Sequence, residues 1–162
     1  MKTLLKLFIL FVISTILHWA FMTLLGGMGL SINIMLIFSV AVCAYLKPEF
    51  GYPTAFLCGL FLDFFGVKLF GCHAFVFTLC ACWVYSFDKR LDFDGVFPQI
   101  ISVFLLSLFA FIMNWILLKV FVGFSAWNGF GSFLCGVILN ALLAPLVFQG
   151  IRRIFISELK TF

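Results

Sequence analysis

The strongest constraint on this chain is a series of long apolar stretches with very little charge to place on a surface. The first stretch, residues 4–25, is about as long as the roughly 20 apolar residues that a helix needs to cross a bilayer. Apolar residues make up 65% of the 162 positions and charged residues 10%, whereas a soluble domain has about 25% charged and 45–50% apolar residues. So few charges cannot form a water-facing surface, so the sequence predicts an integral membrane protein.

The N-terminal segment imitates a secretory signal, because Lys2 and Lys6 precede its apolar run. The run is longer than the roughly 7–15 residues of a signal core, and no small-residue cleavage motif closes it. We therefore predict that this segment is a retained first span.

Glycines and prolines divide the remaining sequence into apolar segments, which we predict to form an all-α bundle. The segment 53–87 is the hardest to divide, because it is long for one span and short for two. Gly66 and Gly71 favour two helices, and a re-entrant hairpin buried in protein is the alternative. Pro145 predicts a kink in the last span. The predicted six-helix transmembrane bundle is a single domain, 1–162, with spans at about residues 4–25, 30–46, 53–65, 72–87, 97–122 and 132–150.

The basic residues favour six spans with both termini in the cytoplasm. Of the ten Lys and Arg residues, only Lys68 and Lys119 then lie outside, which leaves eight inside, as the positive-inside rule expects. Treating 53–87 as one span would move Arg152 and Arg153 outside. Because the cations are scattered, the net charge of +4 does not indicate a nucleic-acid surface.

Asp63 is the most costly residue of the apolar stretches, since a carboxylate at mid-bilayer costs about 2.5–3.5 kcal/mol on insertion scales. It shares a helix face with Ala55 and Gly59, at steps of four residues. Small residues in such rows let membrane helices approach closely. Two interpretations follow: a buried carboxylate that fixes the hairpin or a partner contact, or an interfacial one solvated from the outer side near Lys68 and His73.

The amides Asn114 and Gln149 are predicted to hold helices together. Asn140, which shares a row with Gly136 and Ala144, is set apart as a candidate partner or packing residue. His73 is expected to be a hydrogen-bonding interfacial residue rather than a ligand, and His18 a satisfied packing residue rather than a proton-transfer group. The six cysteines lack metal-ligand spacing. The sequence contains no visible nucleophile–base pair or phosphate loop, so we predict no enzymatic activity, no metal and no cofactor.

Two motifs together resemble the MreD family of bacterial rod shape-determining proteins. The first lies in GYPTAFLCGLFLDFFGVKLFGCHAF, where Gly-Leu-x-x-Asp is followed after a short loop by Gly-x-His-Ala. The second lies in LNALLAPLVFQGIRRIF, where an asparagine and a proline precede an arginine pair. The motifs cover about a third of the chain. The resemblance marks as partner or packing positions Gly59, Asp63, Gly71, His73, Asn140 and Pro145.

The resemblance implies a non-catalytic scaffold in the cytoplasmic (inner) membrane of a rod-shaped bacterium, within the machinery that elongates the cell wall. Its expected partner is the single-span protein MreC, and through MreC the cytoskeletal protein MreB, RodA and the elongation-specific penicillin-binding protein. The resemblance also implies a fold similar to the six-helix substrate-binding subunits of energy-coupling-factor vitamin transporters.

That similarity in fold suggests the alternative function, a membrane subunit that binds a vitamin or another small solute. Such a subunit needs a polar, outward-open pocket and rows of alanines on its first helix for docking. The first span contains only Ala20, and the pocket candidates are few: Asn33, Asn114 and Trp127. The sequence therefore favours the scaffold.

Overall fold

A computed structural model describes residues 2–27, 32–66, 69–87, 93, 95–123 and 130–155. Lys68 and Trp127, which entered the sequence predictions, lie outside these ranges, as do three of the eight cations predicted to lie inside, Lys89, Arg90 and Lys160. The described part of the chain is all-helical, as predicted. Its six helices are α1 (Lys2–Gly26), α2 (Ile34–Tyr45), α3 (Pro48–Phe65), α4 (Cys72–Phe87), α5 (Val96–Val122) and α6 (Phe130–Phe155).

The two ends of the bundle differ in the residues that meet there. Lys6 near the start of α1 donates a hydrogen bond to the carbonyl of Ile154 near the end of α6, at 3.2 Å. We call this the terminal end, and we call the opposite end, where α2 and α4 begin, the far end. The far end holds Asp63 and His73 of the first motif and Asn140 of the second.

Helix α2 lies at the centre of the bundle. All 12 of its residues are buried, and it contacts each of the other helices. A helix that is apolar on every side is stable only when it is surrounded, and the sequence IMLIFSVAVCAY meets that description. The other helices can therefore be placed by their contacts with α2.

The outward surface of the bundle is apolar. On α1, for example, Leu4, Phe8 and Leu24 are 61–73% exposed. Three helical segments are long and apolar enough to cross a membrane: Thr3–Gly26, Val96–Val122 and Gly131–Phe155. Ile34–Tyr45 and Cys72–Phe87 are apolar but shorter. Such a surface is stable only in lipid, so the chain is a membrane protein.

Helix α3 begins earlier than the span expected at 53–65. It starts at Pro48 and continues through Pro53, where the sequence predicted a break. A proline at the first helical position lacks only an N–H that has no helical partner anyway. Gly51 then lies so close to the Tyr85 hydroxyl of α4 that any side chain there would meet it, so tertiary packing holds this turn in the helix.

Two other boundaries also differ from the predicted spans, whereas the predicted division of 53–87 agrees with the structure. Helix α2 begins at Ile34 rather than at residue 30, because the Asn33 side chain accepts a hydrogen bond from the Leu36 amide at 3.1 Å and caps the helix. Helix α6 extends to Phe155, past the predicted end at 150, and Pro145 lies inside it. The region 53–87 is divided between α3 and α4, with Gly66 and Gly71 at the division.

Candidate functional site

Asp63 joins the end of α3 to the start of α4. Its carboxylate accepts hydrogen bonds from the backbone amides of His73 and Ala74, both at 3.0 Å, and lies 2.8 Å from the His73 ring Nδ1. These amides are the second and third of α4, which have no partner inside the helix. The carboxylate also faces the positive end of the α4 dipole. Asp63 therefore caps α4 from a neighbouring helix, and its side chain is fully buried.

The connection between the helices explains why the cap comes from Asp63. The residue before α4 is Gly71, which has no side chain that could cap the helix. Its φ of +88° lies in the left-handed region, which residues other than glycine adopt only at an energetic cost. The glycine turns the chain so that the first amides of α4 point back at α3.

Gly59 lies one helical turn before Asp63 and lets the two helices meet. A Cβ at this position would lie 2.5 Å from the backbone nitrogen and Cα of Ala74 and would also meet the His73 carbonyl oxygen. Backbone atoms of a helix cannot move aside as a flexible side chain can. The missing side chain of Gly59 thus lets α3 approach the first turn of α4, and the carboxylate of Asp63 holds the two helices together there.

Asn140 makes the corresponding contact in the second motif. Its Oδ1 accepts a hydrogen bond from the Asn33 amide, just before α2, at 2.8 Å, and its Nδ2 donates to the Ser107 hydroxyl of α5 at 3.4 Å. Asn140 is 5% exposed. The side-chain amide of Asn140 on α6 therefore connects the start of α2 to the middle of α5.

The two motifs meet at one cavity at the far end, with a volume of about 610 Å³. His73 of the first motif and Asn140 of the second both line it. Polar groups also reach it from other helices, and aromatic rings complete the wall. The polar lining residues are His18, Thr23, Asn33, His73, Ser107, Asn114 and Asn140, and the aromatic ones are Trp19, Phe65, Phe111 and Phe133.

His18 was expected to be a satisfied packing residue, but it lines the cavity. It is 8% exposed, and its Nδ1 finds no hydrogen-bond partner among the described residues. Its isolated position in an apolar run gave no signal, because its neighbours at the cavity come from other helices. Asn33 and Asn114, considered above as pocket candidates, line the same cavity, whereas Trp127 lies outside the described residues.

The six marked residues fall into three groups. Gly59, Asp63, Gly71 and His73 form the α3–α4 junction. Asn140 lies across the cavity on α6. Pro145, five residues further along α6, is half-buried and does not line the cavity. Whether any of them contacts a partner protein stays a prediction.

The fold and the site together define a class: an all-helical membrane protein whose buried polar residues connect helices to one another. The sequence profile described as "MreD: rod shape-determining protein MreD" matches residues 1–154. The chain therefore belongs to the MreD family, and its role is in rod shape determination. This family consists of shape-determining membrane proteins and is not a known enzyme family.

The resemblance drawn from the two motifs is thus confirmed over nearly the whole chain. No curated protein and no solved structure matched the sequence or the fold. The expected similarity to substrate-binding subunits of vitamin transporters stays a prediction, and the family match gives no support to a transport function.

Proposed function

We propose that this chain is a non-catalytic scaffold of the cell-wall elongation complex, spanning the inner membrane several times with both termini in the cytoplasm. The observation that carries the proposal is the family match over residues 1–154. The expected direct partner is MreC, which would connect the chain to MreB, RodA and the elongation penicillin-binding protein.

A scaffold needs surfaces of fixed shape, and the polar contacts of the bundle support this requirement. Asp63 fixes α4 relative to α3, and Asn140 fixes the start of α2 relative to α5 and α6. In lipid, helices gain little from apolar contact with one another, so close packing and hydrogen bonds determine their arrangement. The bundle can thus present its outer helices at set positions.

The chemistry of the outer surface favours recognition inside the membrane. Large apolar side chains cover α1 and the exposed faces of α5 and α6, including Phe8, Phe97, Val120 and Leu146 at 65–73% exposure. A single-span partner presents the same kind of surface. Helix-on-helix packing is therefore the mechanism that we propose for binding MreC.

The proposal can be tested by separating folding from partner binding in cells. In a rod-shaped host whose own copy has been removed, Asp63→Ala and Asn140→Ala are expressed separately, and cell shape and protein abundance are measured together. Gln149→Ala, which changes an exposed amide on α6, serves as the control. We expect Gln149→Ala cells to be rods and the other two variants to lose shape.

The abundance measurement decides what a loss of shape means. Loss of shape at normal abundance supports a contact that partners need, and loss of both supports a role in folding the scaffold. Rod-shaped cells with both variants at normal abundance would contradict the proposal that these residues shape a working scaffold.

A further inference from the structure

We propose that the far-end cavity binds the uncharged, hydrogen-bonding headgroup of an amphiphile whose apolar chain lies along the outside of the bundle. This proposal is independent of the partner protein proposed above. It rests on the size of the cavity, the chemistry of its lining and the exposure of its aromatic wall.

The volume of the cavity suits a small ligand. About 610 Å³ lies within the roughly 300–1,000 Å³ that ligand-binding pockets occupy. All six helices contribute to the lining, from His18 on α1 to Asn140 on α6.

The polar lining suits a neutral group. The amide, hydroxyl and imidazole groups of the lining carry no fixed charge. Asn33 and Asn114 use their Oδ1 atoms inside the bundle and keep their Nδ2 donors for a ligand, whereas Asn140 uses both of its polar atoms. Asp63, the nearby carboxylate, is already occupied by the start of α4. Sugar hydroxyls or amides of a headgroup could hydrogen-bond with several of these side chains at once.

His18 gives a specific reason to expect a ligand. An unpaired buried nitrogen costs about 1–3 kcal/mol, and the Nδ1 of His18 has no partner within the described ranges. The ring lies at the cavity, so a bound group could supply the missing contact. The ring also forms a hydrogen bond with the Ile32 backbone, which leaves Nδ1 as its unpaired nitrogen.

The aromatic wall connects the cavity to the lipid-facing surface. Trp19, Phe65 and Phe111 line the cavity and are also 48%, 56% and 36% exposed. Met22, on the turn after Trp19, is 42% exposed. A molecule with its headgroup among the amides could therefore extend an apolar chain past these side chains into the bilayer, which a free polar solute could not do.

The test uses the full chain in phosphatidylcholine nanodiscs and three probes: hexyl β-glucoside below its micellar concentration, glucose, and hexyl phosphate. Native mass spectrometry measures occupancy, and the apparent melting temperature measures stabilisation, which rises with ligand concentration when the folded state binds. We expect hexyl β-glucoside to bind and to raise the melting temperature. Equal or stronger effects of glucose or of hexyl phosphate would overturn the proposal, as would no effect of hexyl β-glucoside.

Variants of the cavity residues test whether the probe binds in the cavity. We expect His18→Leu and Asn114→Leu each to weaken hexyl β-glucoside binding at least tenfold, and Gln149→Leu, outside the cavity, to leave it unchanged. His18→Leu removes the unpaired nitrogen and also the hydrogen bond between the ring and the Ile32 backbone, so each variant's melting temperature without ligand is measured to confirm that it folds. Binding that is unchanged in both cavity variants, or equally weakened in Gln149→Leu, would overturn the assignment to this cavity.

Discussion

Asp63 performs for α4 the role that a capping side chain usually performs from the residue just before a helix. Gly71 occupies that position and cannot cap, so the acceptor comes from the last turn of α3. The arrangement makes a costly residue useful: the carboxylate is buried where two unpaired amides need an acceptor. Its cost in lipid is offset by charge-assisted hydrogen bonds, which are about twice as strong as neutral ones.

Replacing Asp63 with Ala should therefore destabilise the bundle. Two amides of α4 would lose their acceptor, at about 1–3 kcal/mol for each buried group, so we expect the free energy of unfolding to fall by about 2–6 kcal/mol. Asp63→Asn keeps one acceptor oxygen and should lose less. Unfolding by a denaturing detergent measures both, and a change below about 0.5 kcal/mol for Asp63→Ala would contradict the capping role.

Gly59 provides a second test at the same junction. Gly59→Ala would place a Cβ against the backbone of His73 and Ala74, and overpacking of this kind costs about 1–3 kcal/mol. Gly150→Ala is the matched control, because the space around Gly150 in α6 is open and Ala is the better helix former. We expect the first variant to unfold at lower denaturant and the second to match or exceed the parent; the reverse order would refute the close contact.

At the scale of elements, the bundle is held by helix starts that are capped from other helices. Asp63 of α3 does this for α4, and Asn140 of α6 contacts the Asn33 amide just before α2. Asn33 in turn caps α2 with its own side chain. The start of α2 is therefore connected to α6 by a chain of two asparagines.

Asn140→Ala should loosen the start of α2 specifically. Interhelical hydrogen bonds of this type contribute about 0.6–1.7 kcal/mol, so we expect a loss of about 1–2 kcal/mol in unfolding free energy. Amide hydrogen exchange at Asn33 and Leu36 should quicken, whereas exchange in α4 should not. Gln149→Ala should change neither, and unchanged exchange at Asn33 would show that the contact is not important for α2.

The sequence indicated elements better than it indicated their contacts. Steps of four residues correctly placed Ala55, Gly59 and Asp63 on one buried face. They could not show that Asp63 meets backbone amides, because that depends on the turn at Gly71. His18 was likewise unpredictable as a cavity residue, since the groups around it come from distant segments. Pro53 was expected to begin the third span, but α3 starts at Pro48 and runs through Pro53, where Gly51 packs against Tyr85.

At the scale of the whole molecule, the two ends of the bundle differ in chemistry. The terminal end brings together Lys6, Arg152 and Arg153 at the start of α1 and the end of α6. The far end holds the cavity and its uncharged polar lining. A cationic end on the cytoplasmic side is the arrangement that membrane insertion favours.

This arrangement predicts that both termini lie in the cytoplasm. Fusions of green fluorescent protein to either terminus should fluoresce, and alkaline phosphatase fused at the same positions should be inactive. Insertion of alkaline phosphatase after residue 123, beyond α5, should give an active enzyme. Active phosphatase at only one terminus would contradict an even number of spans.

The central proposal is that the chain acts as a scaffold by binding MreC within the membrane. The most direct measurement is the amount of MreC recovered with the tagged chain from membranes, in several detergents and in nanodiscs. A lipid-embedded protein of the same abundance serves as the control. The account predicts specific recovery of MreC with the parent chain and with Gln149→Ala. A stable, folded preparation that recovers no more MreC than the control in every condition would contradict it.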